Sequence, residues 1–248
     1  MMSYNEFNNL IQSHRSIRKF TNEKVSDDVL ENVIESARRA PTSHNVQAYS
    51  LLVIRDQAKK EKLAQLSGNQ KYVAECPVFF VIIADYYRLK RVSELHNEPF
   101  EVGEIEQVMV GSVDAALVAE NLLLASRAYG LGGVMIGGIR NQLEEVAKLL
   151  ELPEYTFPVM GLCIGYPDQL PEQKPRLPKE AIVFYDKYDL EKVEEGLRSY
   201  DTITEQYYRE RTNGQKTDPW SKQMAKHFAK VNRPQVEGYL KKQGFLKG

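Results

Sequence analysis

The sequence predicts an α+β fold in which helices flank a central mixed β-sheet. Val78–Tyr86 is apolar at nearly every position and rich in β-branched and aromatic residues, which is typical of a central strand covered on both faces. Three more strands are predicted at Tyr49–Arg55, Gly133–Ile136 and Thr156–Gly165. A long helix at Ile105–Tyr129 is apolar around most of its circumference, so we expect it to be buried.

The ends of the predicted helices carry recognisable signals. Ser26 is a suitable N-cap for a second helix, which Pro41 stops, and Gly130 fits the left-handed position after the long helix. The other helices predicted before the last strand are Tyr4–Ser13, Gln57–Ser67 and Gln142–Leu150.

The last quarter of the chain has a different character. Leu190–Arg211 is predicted as a charged, Tyr-rich helix, followed by helices at Trp220–Lys230 and Pro234–Lys242, and no strand candidate remains. We therefore predict two domains: residues 1–188 hold the sheet, and residues 189–248 form a helical extension that wraps over a neighbouring surface, such as a second subunit.

Composition excludes several classes of protein. The 248 residues are 42% hydrophobic and 27% charged with a net charge of −1, which indicates a globular protein without the field that collects nucleic acid or an anionic membrane. No uninterrupted apolar run reaches the roughly 18 residues of a membrane span. The N-terminus does not resemble a secretory signal, so we expect a cytoplasmic protein.

Metal-dependent and hydrolytic chemistry have little support. Cys76 and Cys163 lie in apolar runs and are too few for a disulfide framework, and the four histidines lack zinc-ligand spacing. The GxSxG nucleophile motif does not occur in the sequence. No metal site is therefore predicted.

The first candidate binding motif is His14–Lys19, which has four potential cations in six residues. If this segment is one helical turn, Arg15 and Arg18 share a face and can bind one phosphate, to which the planar guanidinium is well suited. The alternative is a solvated basic turn at a helix end.

The second motif is Lys174–Pro178, with the sequence KPRLP. In an extended segment Lys174 and Arg176 project to the same side, and the two prolines restrict the backbone. A rigid surface loop with two hydrated charges is an equally good interpretation.

The third motif is the glycine-rich stretch Gly130–Gly138, which flanks a predicted strand. Glycine lets a backbone approach a flat ligand closely. The stretch is not the dinucleotide-binding fingerprint, because Met135 stands where that pattern needs glycine, and it has no P-loop ending. Close packing of the long helix on the sheet would explain it equally well.

Two weaker groups complete the candidates. A polar linker at Ala40–Gln47 follows the second helix, and the basic residues Arg209, Arg211 and Lys216 surround a turn. Either group can bind a ligand or simply be solvated. Together the motifs favour binding of an anion and a ring, so the chemistry would come from a cofactor.

In this order, the motifs resemble the nitroreductase superfamily, in its branch of NADPH-dependent FMN oxidoreductases. The resemblance extends from His14 to about Gly244. The motifs that carry it are HRSIRKF, the Ser/Thr-rich turn ending in Gln47, SGNQKYV around Gln70, GLGGVMIGGIRN, FPVMGLCIGYP, KPRLP, and YYRERTNG followed by Trp220-Ser221.

The resemblance implies an interlocked homodimer with two FMN sites at the subunit interface. The phosphate and polar tail of FMN would be held by His14, Arg15, Ser16, Ile17 and Arg18, with Lys174 and Arg176 completing the site. The isoalloxazine would meet Gln70 at its polar edge and Met135, Ile136, Gly137 and Gly138 alongside, with a backbone N–H near N5. Thr42 and Ser43 would come from the partner subunit.

The resemblance also implies the reaction. Arg211 matches a residue that binds the 2′-phosphate of NADPH, and Lys216 stands near a second position where the family has arginine, which leaves room for NADH. Hydride would pass from NADPH to FMN and electrons then to nitro compounds, quinones or flavins, in ping-pong order. The segment Tyr87–Gly103 is expected to be a loop covering the site.

Two other functions compete with this prediction. A flavin carrier or redox sensor without turnover would share the FMN site, but it would not need the basic residues Arg211 and Lys216. A dinucleotide-dependent dehydrogenase of another fold is disfavoured because the glycine fingerprint is absent.

Overall fold

The computed structural model describes residues 4–247, and its strands form one four-stranded sheet. The strand order is β1-β2-β4-β3, and each neighbouring pair is antiparallel. The strands are β1 at Tyr49–Ile54, β2 at Val78–Asp85, β3 at Gly132–Ile136 and β4 at Thr156–Gly165. Their positions were predicted to within one residue at either end, but the prediction of a mixed sheet was wrong.

The antiparallel arrangement follows from how the strands are connected. β4 lies between β2 and β3 and runs antiparallel to both. β2 and β3 therefore run in the same direction, but they are not neighbours in the sheet. The hydrophobic pattern correctly predicted that β2 is covered on both faces, since all of its residues except the last are buried. The pattern does not specify the direction of the strand alongside, which depends on long-range pairing.

Helices precede, connect and follow the strands. They are α1 Tyr4–Gln12, α2 Asp27–Ala37, α3 Gln57–Leu66, α4 Lys71–Glu75, α5 Tyr87–His96, α6 Ile105–Ala128, α7 Leu143–Leu149, α8 Leu190–Arg211, α9 Trp220–Phe228 and α10 Gln235–Lys242. Ser26 is the N-cap of α2 and its hydroxyl accepts a hydrogen bond from the Val29 amide, as predicted.

The prediction of a loop at Tyr87–Gly103 was wrong for its first ten residues, which form α5. Charged residues dominate this helix, and none of its residues is buried, so it lacks the apolar stripe by which helices are recognised. Asn97 ends it in the left-handed conformation, with φ of 54°.

Both faces of the sheet are covered by helices, as predicted. On one face, Val33 of α2 and Leu122 of α6 pack in a core with Phe80 of β2. On the other face, Leu63 of α3 packs in a core with Phe79, the neighbouring residue of β2. Alternate residues of this strand therefore belong to different cores.

Only one side of α6 is buried within the chain. Asp114 and Leu122 are among its buried residues, whereas the apolar side chains of Met109, Val113 and Leu117 are exposed. The expectation of a fully buried helix was therefore wrong for a single chain. By length and composition α6 could also cross a membrane, although it packs against the sheet as the core helix of a soluble protein does.

The described chain divides into two compact units, at points that differ from the expected boundary after residue 188. The first unit extends to Pro171 and resumes at Arg233, and the second is Glu172–Asn232. The C-terminal segment returns to the first unit because its aromatic residue Phe245 is fully buried, with its ring 5.2 Å from Phe157 and 5.7 Å from Tyr86.

Two glycine substitutions test the packing of the sheet. A Cβ on Gly161 of β4 would lie 2.4 Å from Cζ of the fully buried Phe79, so Gly161→Ala should lower the free energy of unfolding by about 1–3 kcal/mol. A Cβ on Gly238 of α10 meets nothing within 4 Å, and Gly238→Ala should raise that free energy by up to about 1 kcal/mol.

Urea unfolding of the two variants beside the parent protein measures both effects. Equal stability of the Gly161 and Gly238 variants would contradict the packing described for β4.

Candidate functional site

The segment that follows α1 lies in an extended conformation along the free edge of β3. Ser16 forms a parallel bridge with Gly133, and the Ile17 amide donates to the Gly133 carbonyl at 2.9 Å. The helical turn considered for His14–Lys19 is not formed. β3 is an edge strand with unpaired backbone N–H and C=O groups, and these bind the backbone of an extended segment. A helical turn could not form these bonds, because its own backbone groups are directed along the helix.

Glycine permits this close approach. A Cβ on Gly132 would lie 2.5 Å from Cγ1 of Ile17, whose side chain is buried. Part of the glycine-rich stretch therefore serves the packing of the His14–Lys19 segment on β3, rather than the packing of α6 alone.

The two arginines of this segment have different surroundings. Nη1 of Arg15 donates to the Ser13 carbonyl at 3.1 Å, while its Nε is buried and has no hydrogen-bond partner among residues 4–247. The guanidinium of Arg18 lies 6.0 Å from the ring centre of Tyr72. The Tyr72 hydroxyl in turn donates to Oε1 of Gln70 at 2.8 Å.

Gln70 also lies against the turn that follows β3. A Cβ on Gly138 would be 2.3 Å from the Ser67 carbonyl oxygen and 2.6 Å from Nε2 of Gln70. A Cβ on Gly137 would meet only Nη2 of Arg140, at 3.5 Å. The structure thus links Arg18 to Gln70 through Tyr72, and Gln70 to Gly138. Arg15 precedes the residue that bridges Gly133 near the start of β3, whereas Gly137 follows the end of that strand.

Arg140 is a neighbour that the sequence analysis did not single out, although it lies in the GLGGVMIGGIRN motif. Its Nη1 donates to the Val159 carbonyl, and burial lowers the pKa of Arg140, as does the positive charge of Arg233 to a smaller extent. Arg233 is held by Oδ1 of Asn141, which accepts from its Nε at 2.8 Å. Two cations therefore lie near the end of β3.

Thr42 and Ser43 are found elsewhere in the first unit. They precede β1, which forms the edge of the sheet opposite β3, so three strand spacings of about 14 Å in all separate the two edges. A single chain does not bring these two residues to the glycine-rich turn.

The turn that carries Thr42 and Ser43 is held by Asp114, a buried residue of α6. Its carboxylate accepts from the Ser43 and Ala48 amides, both at 3.0 Å. Burial, followed by the negative charge of Asp114, raises the pKa of Tyr86 to about 12. The sequence showed Asp114 as a charge in an apolar helix, which is a signal for such a buried contact.

The second unit gathers its candidate cations around tyrosines. The ammonium groups of Lys174 and Lys216 lie 5.8 and 4.1 Å from the ring centre of Tyr208. Arg211 lies 5.7 Å from the ring centre of Tyr207, and its Nη1 donates to the hydroxyl of that tyrosine at 2.8 Å.

The KPRLP segment of this unit is fixed by backbone contacts. Nη1 of Arg176 donates to the Lys174 carbonyl at 2.9 Å, and the Tyr200 hydroxyl donates to the Pro175 carbonyl at 2.8 Å. Burial raises the pKa of Tyr200, and the charge of Arg176 partly offsets that shift. Tyr207 and Tyr208 open the YYRERTNG motif, whereas Tyr200 was noted only as part of a Tyr-rich helix.

Comparisons with known proteins match nearly the whole chain. The Nitroreductase family model matches residues 11–166, and the model of the Nitroreductase family C-terminal domain matches residues 174–248. The chain is 39% identical over 241 residues to the FMN reductase (NADPH) of Bacillus subtilis, covering 96% of this chain and 97% of the relative.

Other relatives agree. The chain is 40% identical over 237 residues to the oxygen-insensitive NADPH nitroreductase of Salmonella typhimurium, covering 95% of this chain and 96% of the relative. The solved structure of B. megaterium NfrA1 is 40% identical and superposes with a TM-score of 0.95, covering 97% of this chain and 99% of that one.

The role of Asp114 can be tested through stability. Asp114→Ala leaves the buried Ala48 amide and the partly buried Ser43 amide without their acceptor, so we expect the free energy of unfolding to fall by about 2–4 kcal/mol. Asp114→Asn keeps one carbonyl oxygen and should lose less. Chemical denaturation measures both variants, and an alanine variant as stable as the parent would contradict the assigned role.

Proposed function

Because the chain belongs to the nitroreductase family, whose members named above are NADPH-dependent reductases, we propose that this oxidoreductase binds FMN at Arg15–Arg18 and Gly137. The protein uses FMN and NAD(P)H, and the acceptors proposed for it are nitro compounds, quinones or flavins. The buried, unpartnered Nε of Arg15 is the observation that carries the choice of site.

The residues present suit FMN. A phosphate oxygen would give the Nε of Arg15 the acceptor that it lacks within the described chain, and the charged acceptor would make the bond a strong one. The space beside Gly137 suits the flat face of a ring, because a Cβ there would meet only Nη2 of Arg140, at 3.5 Å.

Bound FMN would supply the redox chemistry, accepting hydride from NADPH and passing electrons to the second substrate in ping-pong order. The chain would orient it and stabilise charge. Arg15 and Arg18 would hold the phosphate, and Gln70 would bond to the polar edge of the ring. Arg140, next to Gly137, would stabilise negative charge that develops nearby.

Further ligands of this site rest on sequence motifs. His14, Ser16 and Ile17 belong to the same segment as the two arginines. Met135 and Ile136 end β3 just before the open space, and Lys174 and Arg176 are assigned to the phosphate by the KPRLP motif alone.

A homodimer is part of the proposal. The exposed apolar side chains of Met109, Val113 and Leu117 lie along one face of α6, at helical spacing, and a second copy of the chain would cover them. The position of Thr42 and Ser43 at the far edge of the sheet supports their assignment to the partner's FMN site. We propose a cytoplasmic location, without nucleic-acid or membrane partners.

For NADPH, we propose binding through Arg211 and Lys216. Both cations lie against tyrosine rings of the second unit, and these contacts would hold them in place to bind a 2′-phosphate. Lysine in place of a second arginine makes a single point contact rather than a bidentate one, so some use of NADH is expected.

Loss of both arginines of the first motif should abolish FMN retention. We expect Arg15→Gln/Arg18→Gln to purify without the yellow flavin colour, since each charge-assisted contact contributes about 1.5–3 kcal/mol. The flavin content per chain, read from absorbance, is the measurement. Arg55→Gln is the matched control, because Arg55 pairs with Asp27 at 2.5 Å on the surface. A yellow double variant would refute the site.

Substitution of Arg211 tests the nicotinamide donor. We expect Arg211→Gln to raise the KM for NADPH by roughly tenfold and to leave the KM for NADH nearly unchanged, because only NADPH carries the 2′-phosphate. Steady-state kinetics with both donors measures this, with Arg209→Gln as the control because Arg209 pairs with Glu205 at 2.6 Å. Equal effects on the two donors would argue against the assignment.

A further inference from the structure

A third arginine converges on the same residue as Arg15. Arg127, in the last turn of α6, donates from Nη2 to the hydroxyl of Ser13 at 3.0 Å. Arg15 donates from Nη1 to the carbonyl of Ser13 at 3.1 Å. Two guanidinium groups separated by 112 positions in the sequence are thus anchored on one residue at the end of α1.

The charges of these two arginines are not neutralised by a close carboxylate. Among residues 4–247, neither guanidinium forms an ion pair within 4.0 Å, although Glu120 of α6 is near enough to influence Arg127. Burial lowers the pKa of Arg127, Glu120 raises it, and the positive charge of Arg15 lowers it. Two like charges held together in this way favour an anion between them.

The unused donor of Arg15 points to the same conclusion. Its Nε is buried without a hydrogen-bond partner in the described part of the chain, an arrangement that is costly unless a ligand provides the acceptor. A phosphate monoester has three acceptor oxygens and a charge near −2, so it would satisfy this donor and compensate both guanidinium charges at once.

We propose that Arg127 binds the phosphate of FMN together with Arg15, and that this pair makes the site select FMN over riboflavin. The inference rests on the proposed function, and it adds a residue outside the motifs that indicated the flavin site. Riboflavin has the same ring and ribityl chain but no phosphate, so it would leave both guanidinium groups uncompensated.

A purely structural role for Arg127 makes a different prediction. A cation in the last turn of a helix interacts favourably with the helix dipole, and the bond to Ser13 joins α6 to the end of α1. If this were its whole role, its substitution would affect the binding of FMN and riboflavin equally.

The test compares the affinities of both flavins in full-length protein freed of bound flavin. Quenching of flavin fluorescence gives Kd for FMN and for riboflavin in the parent, in Arg127→Gln and in the control Arg55→Gln. We expect Arg127→Gln to weaken FMN binding roughly 10- to 100-fold and riboflavin binding less than about threefold. The control should keep both parent values.

Each outcome of the affinity measurement either supports or overturns the assignment of Arg127 to the phosphate. Unchanged FMN affinity in Arg127→Gln, or an equal loss for both flavins, overturns the inference while leaving the proposed function intact. A parent protein that binds no FMN overturns both. If Arg127→Gln does not fold, Arg127→Lys replaces it. That variant keeps the charge but not the planar fork, and it must also weaken FMN binding more than riboflavin binding.

Discussion

The candidate site depends on the pairing of the segment after α1 with the edge of β3. Hydrogen bonding of Ile17 to Gly133 buries the Ile17 side chain against Gly132, where any larger residue would collide with it. The pairing fixes the neighbouring Arg15 with its Nε buried, at a cost that a bound anion would offset. A flexible basic loop would have no such requirement, because its cations would be hydrated.

Elements with strong local signals were predictable from the sequence. The continuous apolar run predicted β2 to within one residue, and the Ser26 cap predicted where α2 begins, because burial and capping are encoded in neighbouring residues. The direction of adjacent strands and the helix α5 were not predictable. Strand direction depends on distant pairing, and α5 lacks a buried apolar face.

The same distinction holds for the site. The motif residues around Arg15 and Gly137 could be identified because they cluster in the sequence. Tyr72 and Arg140 lie within the quoted motifs but were not singled out, and Arg127 lies outside them; the contacts of all three appear only once the chain is folded. The hydrophobicity of α6 predicted a fully buried helix, but one of its apolar faces is exposed in a single chain.

A crystal structure of the protein with FMN tests the central claim most directly. The account predicts a phosphate oxygen within about 3 Å of Nε of Arg15, with the segment around Ser16 still paired to β3. A flavin whose phosphate lies elsewhere, leaving that Nε buried and unpaired, would contradict it.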